Sequence, residues 1–485
     1  LPMEGNWFAV AALFSWPVVV FVLLTRTEVS QALLWAVLGG QLLLPAGSAL
    51  KLSMIPQLDK ASLPSLAVLL ACILSGRLKS ANPWRPGLVD VLLFVFVLSP
   101  LITAMLNGDV IPLPNGVLPS VGLYDGLSSV ISQCVVVIPF VLGRSILTTE
   151  RSTEQIFRCF AVAGLLYSLP MLFEIRMSPQ LQAWIYGFMP GEFYQEARDG
   201  TFRPTVFMGH GLIAAFFAMT CAVASCVLWR VRATVKGVEA GPLTVYLTSM
   251  LVLTKSFGAI LYALFLIPLI RLCSTRVQFR VATVLAAVVL IYPAARTLDI
   301  IPTQLIDETI RSVNPERADS LQTRFDNEHR LVDRAMERPL FGWGRYGRSR
   351  LHSETSGRDD SITDGRWVIT IGQYGIVGFI AEFGLLAITV FRAGSSARYA
   401  ASQQEAALLA GLSLIVAVNL VELIPNSALL PWTWLLAGAL VGRAESLRVS
   451  ARQRRRTTSM QPMFTPLGDR SSNPSKVAFD RPSPR

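Results

Sequence analysis

The sequence predicts an all-α polytopic membrane protein, and three observations carry that reading. Of the 485 residues, 52% are hydrophobic and only 15% are charged, where a soluble domain usually carries about 25% charged residues. Mean hydropathy is +0.49. Apolar runs recur along the whole chain, most of them near the roughly 18 to 20 residues that cross a bilayer as a helix. Helices are expected because a segment in lipid must satisfy its own backbone polar groups.

In chain order the candidate spans cover 7–24, 29–49, 63–76, 88–106, 123–142, 156–174, 207–229, 243–255, 257–272, 279–295, 367–391, 405–424 and 430–442. The first run, Trp7 to Leu24, lacks a basic start and a small-residue cleavage site, so it reads as a span and not as a signal peptide. The two short runs around Lys255 read as a pair meeting at one surface, so about 12–13 transmembrane helices are expected. The chain then divides into a helical bundle (1–295), one large external helical loop (296–366), C-terminal spans (367–443) and a basic tail (444–485) expected to be disordered.

Basic residues set the orientation. Arg77, Lys79 and Arg85 share one short loop, Arg144, Arg151 and Arg158 flank a second, and Arg230, Arg232 and Lys236 lie in a third. Arg271, Arg276 and Arg280 mark a fourth, and Arg392 and Arg398 a fifth. These loops alternate with span number and read as cytoplasmic, as does the tail with Arg454, Arg455 and Arg456, near anionic headgroups. Loops 107–122, 175–206, 296–366 and 425–429 are then external, which in a bacterial inner membrane means periplasmic. The net charge of +11 is spent on this pattern and does not point to nucleic acid. The six cysteines lie in or beside apolar runs and form neither a disulfide framework nor a CxxC site. The chain has no Asp-x-Asp and no His/Cys/Asp cluster of metal-binding spacing, and no cofactor is expected.

The long loop is the polar centre of the sequence. It holds twelve arginines, no lysine, and two of the three histidines, His329 and His352. A guanidinium grips phosphate or carboxylate through two parallel hydrogen bonds, which an ammonium does not. Residues Asp319 to Arg338 read as an amphipathic helix, with Leu321, Phe325, Val332 and Ala335 at helical spacing and Pro339, Gly342 and Gly344 ending it. Arg330, Arg334 and Arg338 share one face, with Arg324 about a turn earlier, and Asp333 is placed to orient His329. The alternative is a surface helix laced by Asp326–Arg330 and Glu328–Arg324 pairs. His352 falls in a Ser/Gly-rich stretch expected to be mobile. His210 sits at the outer end of a span, where a histidine is more often a packed interfacial residue than a base. Lys255, Glu174 and Glu422 are ionisable groups in or at the ends of spans and are pocket candidates.

Pro339–Leu340–Phe341–Gly342–Trp343–Gly344, after an arginine-bearing helix and before an apolar span, resembles the bacterial O-antigen ligase and Wzy-type polysaccharide polymerase superfamily. Arg324, Ala335, Pro339, Gly342 and Gly344 match that family's pattern in order. Arg203–Pro204–Thr205 with Gly209–His210 is similar to its arginine segment before a middle span, and Leu253–Thr254–Lys255–Ser256–Phe257–Gly258 to its Leu-Thr-x-Ser motif, with the basic residue displaced. The resemblance covers about 200–390 and the rest only by topology. It departs at one place. Many relatives carry a His-Asn pair just before the next span, and here Thr363–Asp364–Gly365–Arg366–Trp367 stands there, ahead of Gly375–Ile376–Val377–Gly378. A carboxylate also serves as a base, and this variant looks like the exopolysaccharide polymerase relatives.

The resemblance implies a GT-C-like membrane glycosyltransferase with no metal. Its donor would be an oligosaccharide on polyprenyl diphosphate and its acceptor a glycan or lipid, with a flippase and a chain-length regulator as partners beside the lipid bilayer. Asp364 would be the base, with His329 and His352 behind it. Arg203, Arg324, Arg330 and Arg345 would hold the diphosphate, and His210, Lys255, Gly342, Gly344 and Arg366 would line the pocket. A lipid-linked glycan flippase or transporter would instead show repeats and midplane ionisable sites, and a SEDS-like cell-wall polymerase would show signature motifs not found here.

Overall fold

The structure is a computed structural model, and it describes residues 5–51, 56–77, 86–191, 196–198, 200–298, 300, 308, 311–312 and 315–459. In chain order the helices are α1 (Trp7–Arg26), α2 (Val29–Leu43), α3 (Leu63–Leu74), α4 (Leu88–Met105), α5 (Leu123–Val136), α6 (Ile138–Ile146), α7 (Glu150–Met177) and α8 (Leu181–Tyr186). They continue with α9 (Gly211–Arg230), α10 (Ala240–Leu253), α11 (Phe257–Leu272), α12 (Thr275–Thr297), α13 (Pro315–Met336), α14 (Arg366–Ser396), α15 (Gln403–Glu422) and α16 (Pro431–Ser459). Among the described residues, sheet is confined to four two-stranded hairpins. Among the described residues, eight helices, with α5 and α6 counted together, are long and apolar enough to cross a membrane, and α2, α3, α10 and α11 are apolar but shorter. The chain is an all-α, multi-pass membrane protein.

Hydrophobicity all round marks the helices that others surround. In α9 and α15, 89% and 83% of the apolar stretch is buried, against 28% in α1, so the first two are central and the last is peripheral. Helix α6 meets α16 through glycine. A Cβ on Gly438 would lie 2.1 Å from Phe140 O, and one on Gly442 would lie 2.4 Å from Arg144 O. Small residues let backbones approach this closely, which lipid tails alone do not drive.

Three expectations change in detail. The run 29–49 is helical only to Leu43, because Pro45 and Gly47 lead into the hairpin Ala49–Leu50/Leu58–Asp59. The run 123–142 breaks at Val137, where Pro139 near the start of α6 supplies no backbone N–H and crowds the preceding turn. The tail expected to be disordered from 444 is helical to Ser459, and its remainder, 460–485, lies outside the described residues. The reason is that its charges have partners. Glu445 pairs with Arg144 and Arg392, and Arg448 Nε donates to Ser396 Oγ at 2.7 Å.

That cluster marks one end of the bundle, where Arg144 also pairs with Asp90 at 2.7 Å. The other end carries the hairpin Ile111–Leu113/Gly116–Leu118 and the segment after α13, joined by Asn115 Nδ2 donating to Ser356 O.

Candidate functional site

Helix α13 starts at Pro315, four residues before the expected Asp319, and ends at Met336. Leu331, Val332 and Ala335 are buried, and the helix rests on α14. At its end Gly342 N donates to Arg338 O, with Gly342 at φ +67°, a left-handed conformation that suits glycine.

The Pro339–Gly344 turn then docks onto a break in α14. Gly375 has φ 69° and ψ −169°, so the helical bonding fails around it. The turn replaces what is lost. Trp343 N donates to Gly372 O and Gly344 N to Gln373 O, both at 2.9 Å, while Ile376 N donates to Pro339 O at 2.7 Å and Val377 N to Leu340 O at 3.2 Å. In an unbroken helix Gly372 O would accept from Ile376 N and Gln373 O from Val377 N, so each of these groups has exchanged a helical partner for one in the turn. Thr103 Oγ1 and Asn107 Nδ2 of the α4 end donate to Phe341 O and Gly342 O.

Arginine stacking fixes the indole in the turn. Arg334 and Arg338 lie 3.5 and 4.1 Å from the Trp343 ring centroid, and Trp343 Nε1 donates to Arg334 O. Arg338 and the fully buried Arg348 both reach Asp109, at 2.8 and 2.9 Å. The Arg338 hydrogen bond holds the Asp109 carboxyl below the usual carboxylate range, against partial burial and with the charge of Arg348 adding to it. These arginines are structural clamps, and two of them, Arg334 and Arg338, belong to the shared helix face that the sequence predicts.

Arg324 and Asp364, forty residues apart in sequence, come together, with Arg324 Nε 3.1 Å from Asp364 Oδ2. Both side chains are open to solvent, 52% and 40% exposed, so the pair contributes only about 0–1 kcal/mol and readily exchanges partners. Arg366, two residues on, is spoken for. Its Nε and Nη2 donate to Glu382 Oε1 at 3.1 and 2.7 Å, and Thr370 Oγ1 donates to Glu382 Oε2 at 2.6 Å. Its backbone N–H donates to Leu423 O and Asn426 O, which seats the 364–366 corner on the end of α15. The pairs expected within α13 do not form as drawn. Glu328 receives Arg296 Nε at 2.6 Å and Tyr292 Oη at 3.2 Å.

Other candidates scatter. Arg330 is exposed on α13. His329 is 56% exposed and lies 3.8 Å from Asp333 Oδ2. His352 pairs with Asp359 through a backbone bridge in the Ser/Gly-rich stretch, with Asp360 N donating to Leu351 O. His210 caps α9, its Nδ1 accepting from Leu212 N at 3.1 Å. Arg203 N donates to Glu196 O, in a segment that Glu174 anchors by accepting from Thr205 N and Val206 N at 2.8 and 2.7 Å. Lys255 occupies the turn between α10 and α11 with φ 52°. Gly344 is buried beside Val121 and Thr103. Arg345 donates to Ser128 Oγ and Ser132 Oγ at 3.2 and 3.4 Å.

Three groups escaped sequence reading: Asp109, Arg348 and Glu382. An acid inside an apolar span was the signal for Glu382, the same rule that singles out Glu174. Asp109 and Arg348 carry no such signal, because only the folded loop brings them together. No protein-family model matches this chain, and no curated protein matches it.

Proposed function

We propose that the protein is a GT-C-like membrane glycosyltransferase that polymerises or ligates a polyprenyl-diphosphate-linked glycan at the periplasmic face of a bacterial inner membrane. The observation that carries this reading is the solvent-open Arg324–Asp364 pair, which puts a carboxylate and a bidentate phosphate ligand side by side on the segment that resembles the polymerase and ligase superfamily.

In this reading the acceptor hydroxyl attacks the anomeric carbon of the donor. A carbon–oxygen bond forms to the acceptor as the bond to the lipid diphosphate breaks. Asp364 takes the hydroxyl proton, and Arg324 turns from the carboxylate to the departing diphosphate, with Arg345 adding positive charge from the lipid side. The Arg366–Glu382 pair holds the corner in place and carries no proton. His329 and His352 are the rival bases.

The test uses purified protein with a polyprenyl-diphosphate oligosaccharide and reads glycan lengthening or transfer. Asp364→Asn keeps the shape and removes the base, and a loss of about 100-fold or more is expected. Arg324→Lys keeps the charge without the fork and should not restore activity. Wild-type rates in both variants would refute the assignment.

A further inference from the structure

Beside Arg345 lies a cavity of about 470 Å³. Its walls change character along its length. On the α5–α6 wall, Ser128 and Ser132, which Arg345 touches, lie toward one end and Val135, Val136 and Pro139 toward the other, while Gln57, Ser62, Leu429 and Trp434 also line the cavity. Within α5, the eight steps from Ser128 to Val136 rise about 12 Å at about 1.5 Å per residue. Val136 is 40% exposed, so the apolar end opens sideways toward the surface that lipid would cover.

Arg345 differs from its neighbours in the loop. Arg334, Arg338, Arg348, Arg350 and Arg366 each pair with a carboxylate. Arg345 is half-buried, and among the described residues its guanidinium contacts the hydroxyls of Ser128 and Ser132 and no carboxylate. A part-buried charge with only neutral partners has unused capacity for an anion. Asp59 also lines the cavity, but its Oδ1 is occupied by the N–H groups of Ala61 and Ser62 and by Ser62 Oγ.

We infer that this cavity seats the phosphate head and first isoprenoid carbons of a polyprenyl phosphate or diphosphate, with Arg345 on the phosphate and the α5–α6 wall along the chain. The inference rests on the glycosyltransferase reading for the identity of the lipid, and it deepens that reading by separating the lipid-holding end of the site from the reacting end. Leu429 borders the cavity, while Asn426, three residues earlier, accepts from Arg366 N. One short turn thus links the lipid seat to the Asp364 corner. A phosphate alone would leave the apolar half empty, and an uncharged isoprenol would leave Arg345 unanswered.

The experiment is equilibrium binding of farnesyl phosphate, farnesol and inorganic phosphate to the full-length protein in detergent, without any sugar donor. Farnesyl phosphate should bind at least about tenfold more tightly than either of the others, as expected for one charge-assisted hydrogen-bonded contact. Arg345→Gln should erase the preference for farnesyl phosphate over farnesol, and Val136→Trp should weaken both by filling the apolar end. The double variant Ser128→Ala/Ser132→Ala, which keeps the charge but removes its seat, should weaken farnesyl phosphate severalfold and serves if Arg345→Gln fails to fold. Equal affinity for farnesyl phosphate and farnesol, equal affinity for inorganic phosphate, or an Arg345→Gln protein that keeps its preference would each overturn the inference. Binding requires no transfer. A protein that binds through Arg345 but makes no glycan refutes the function and leaves the lipid seat standing, whereas glycan transfer with unselective binding does the reverse.

Discussion

Gly375→Ala should undock the Pro339–Gly344 turn. The backbone at 375 has φ 69° and ψ −169°, a region essentially reserved for glycine, and a side chain there costs of the order of 1–3 kcal/mol. The new methyl would also lie 2.3 Å from Leu340 C and O and 2.5 Å from Phe341 N. Those are backbone atoms that cannot swing aside, so the turn has to move. Moving it breaks the four exchanged hydrogen bonds between 339–344 and 372–377, each contributing roughly 0.5–1.5 kcal/mol net. Together the four contribute about 2–6 kcal/mol of docking energy. Straightening of α14 recovers its internal bonds but leaves the turn without partners. Hydrogen exchange on peptides covering 339–349 should therefore accelerate by about 100-fold or more, since about 1.4 kcal/mol is a factor of ten in the opening equilibrium. Gly384→Ala in the same helix is the control, because its methyl would sit 3.8 Å from Leu92, an ordinary contact. Wild-type protection in Gly375→Ala would refute the claim that this backbone exchange holds the loop.

Three further outcomes are expected. If Asp364 is the base, His329→Ala and His352→Ala should each keep glycan transfer within a few-fold of wild type, and abolition by either one would move the base to that histidine. In a cysteine-free background, an impermeant thiol reagent added outside intact cells should label Thr355→Cys and spare Gln453→Cys, and the reverse pattern would place the candidate site on the wrong side of the membrane. Lys60 donates to Phe207 O and Gln41 O, and burial pushes its ammonium down to about 7 despite the pull of Asp59. The unfolded chain keeps that proton to about 10.4, so between these values it binds more protons and stability rises with pH. Melting of the detergent-purified protein should rise from pH 7 toward pH 10, and Lys60→Met should flatten that rise.

Hydropathy located most of the helices, because a lipid-facing or buried span is apolar along its whole length and needs no partner to be recognised. It missed the break in α14. Gly375 and Gly378 were visible as a glycine pattern, but a positive φ within a span is stable only when another backbone completes it, and that backbone lies upstream in the loop. The C-terminal helix was read too short for a related reason. Arg443, Glu445 and Arg448 look like a solvated tail until Thr148, Arg144 and Ser396 are brought beside them. The arginines divided in the same way. Their number was legible, whereas the division into clamps on Asp109 or Glu382 and the open Arg324 and Arg345 depends on where each acid falls after folding.

The exchange of partners around Gly375 also bears on how the chain is made. Residues 339–344 leave the ribosome before residues 372–377, so the turn has to wait for the helix that receives it. Until they meet, α14 keeps its internal bonds as an unbroken helix, because an interrupted helix facing lipid is a state the bilayer penalises by several kcal/mol per unsatisfied group. Capture of the loop therefore follows insertion of the span and exchanges one set of backbone bonds for another. A chain whose loop is stranded on the opposite side would keep the unbroken span and lack the docked turn.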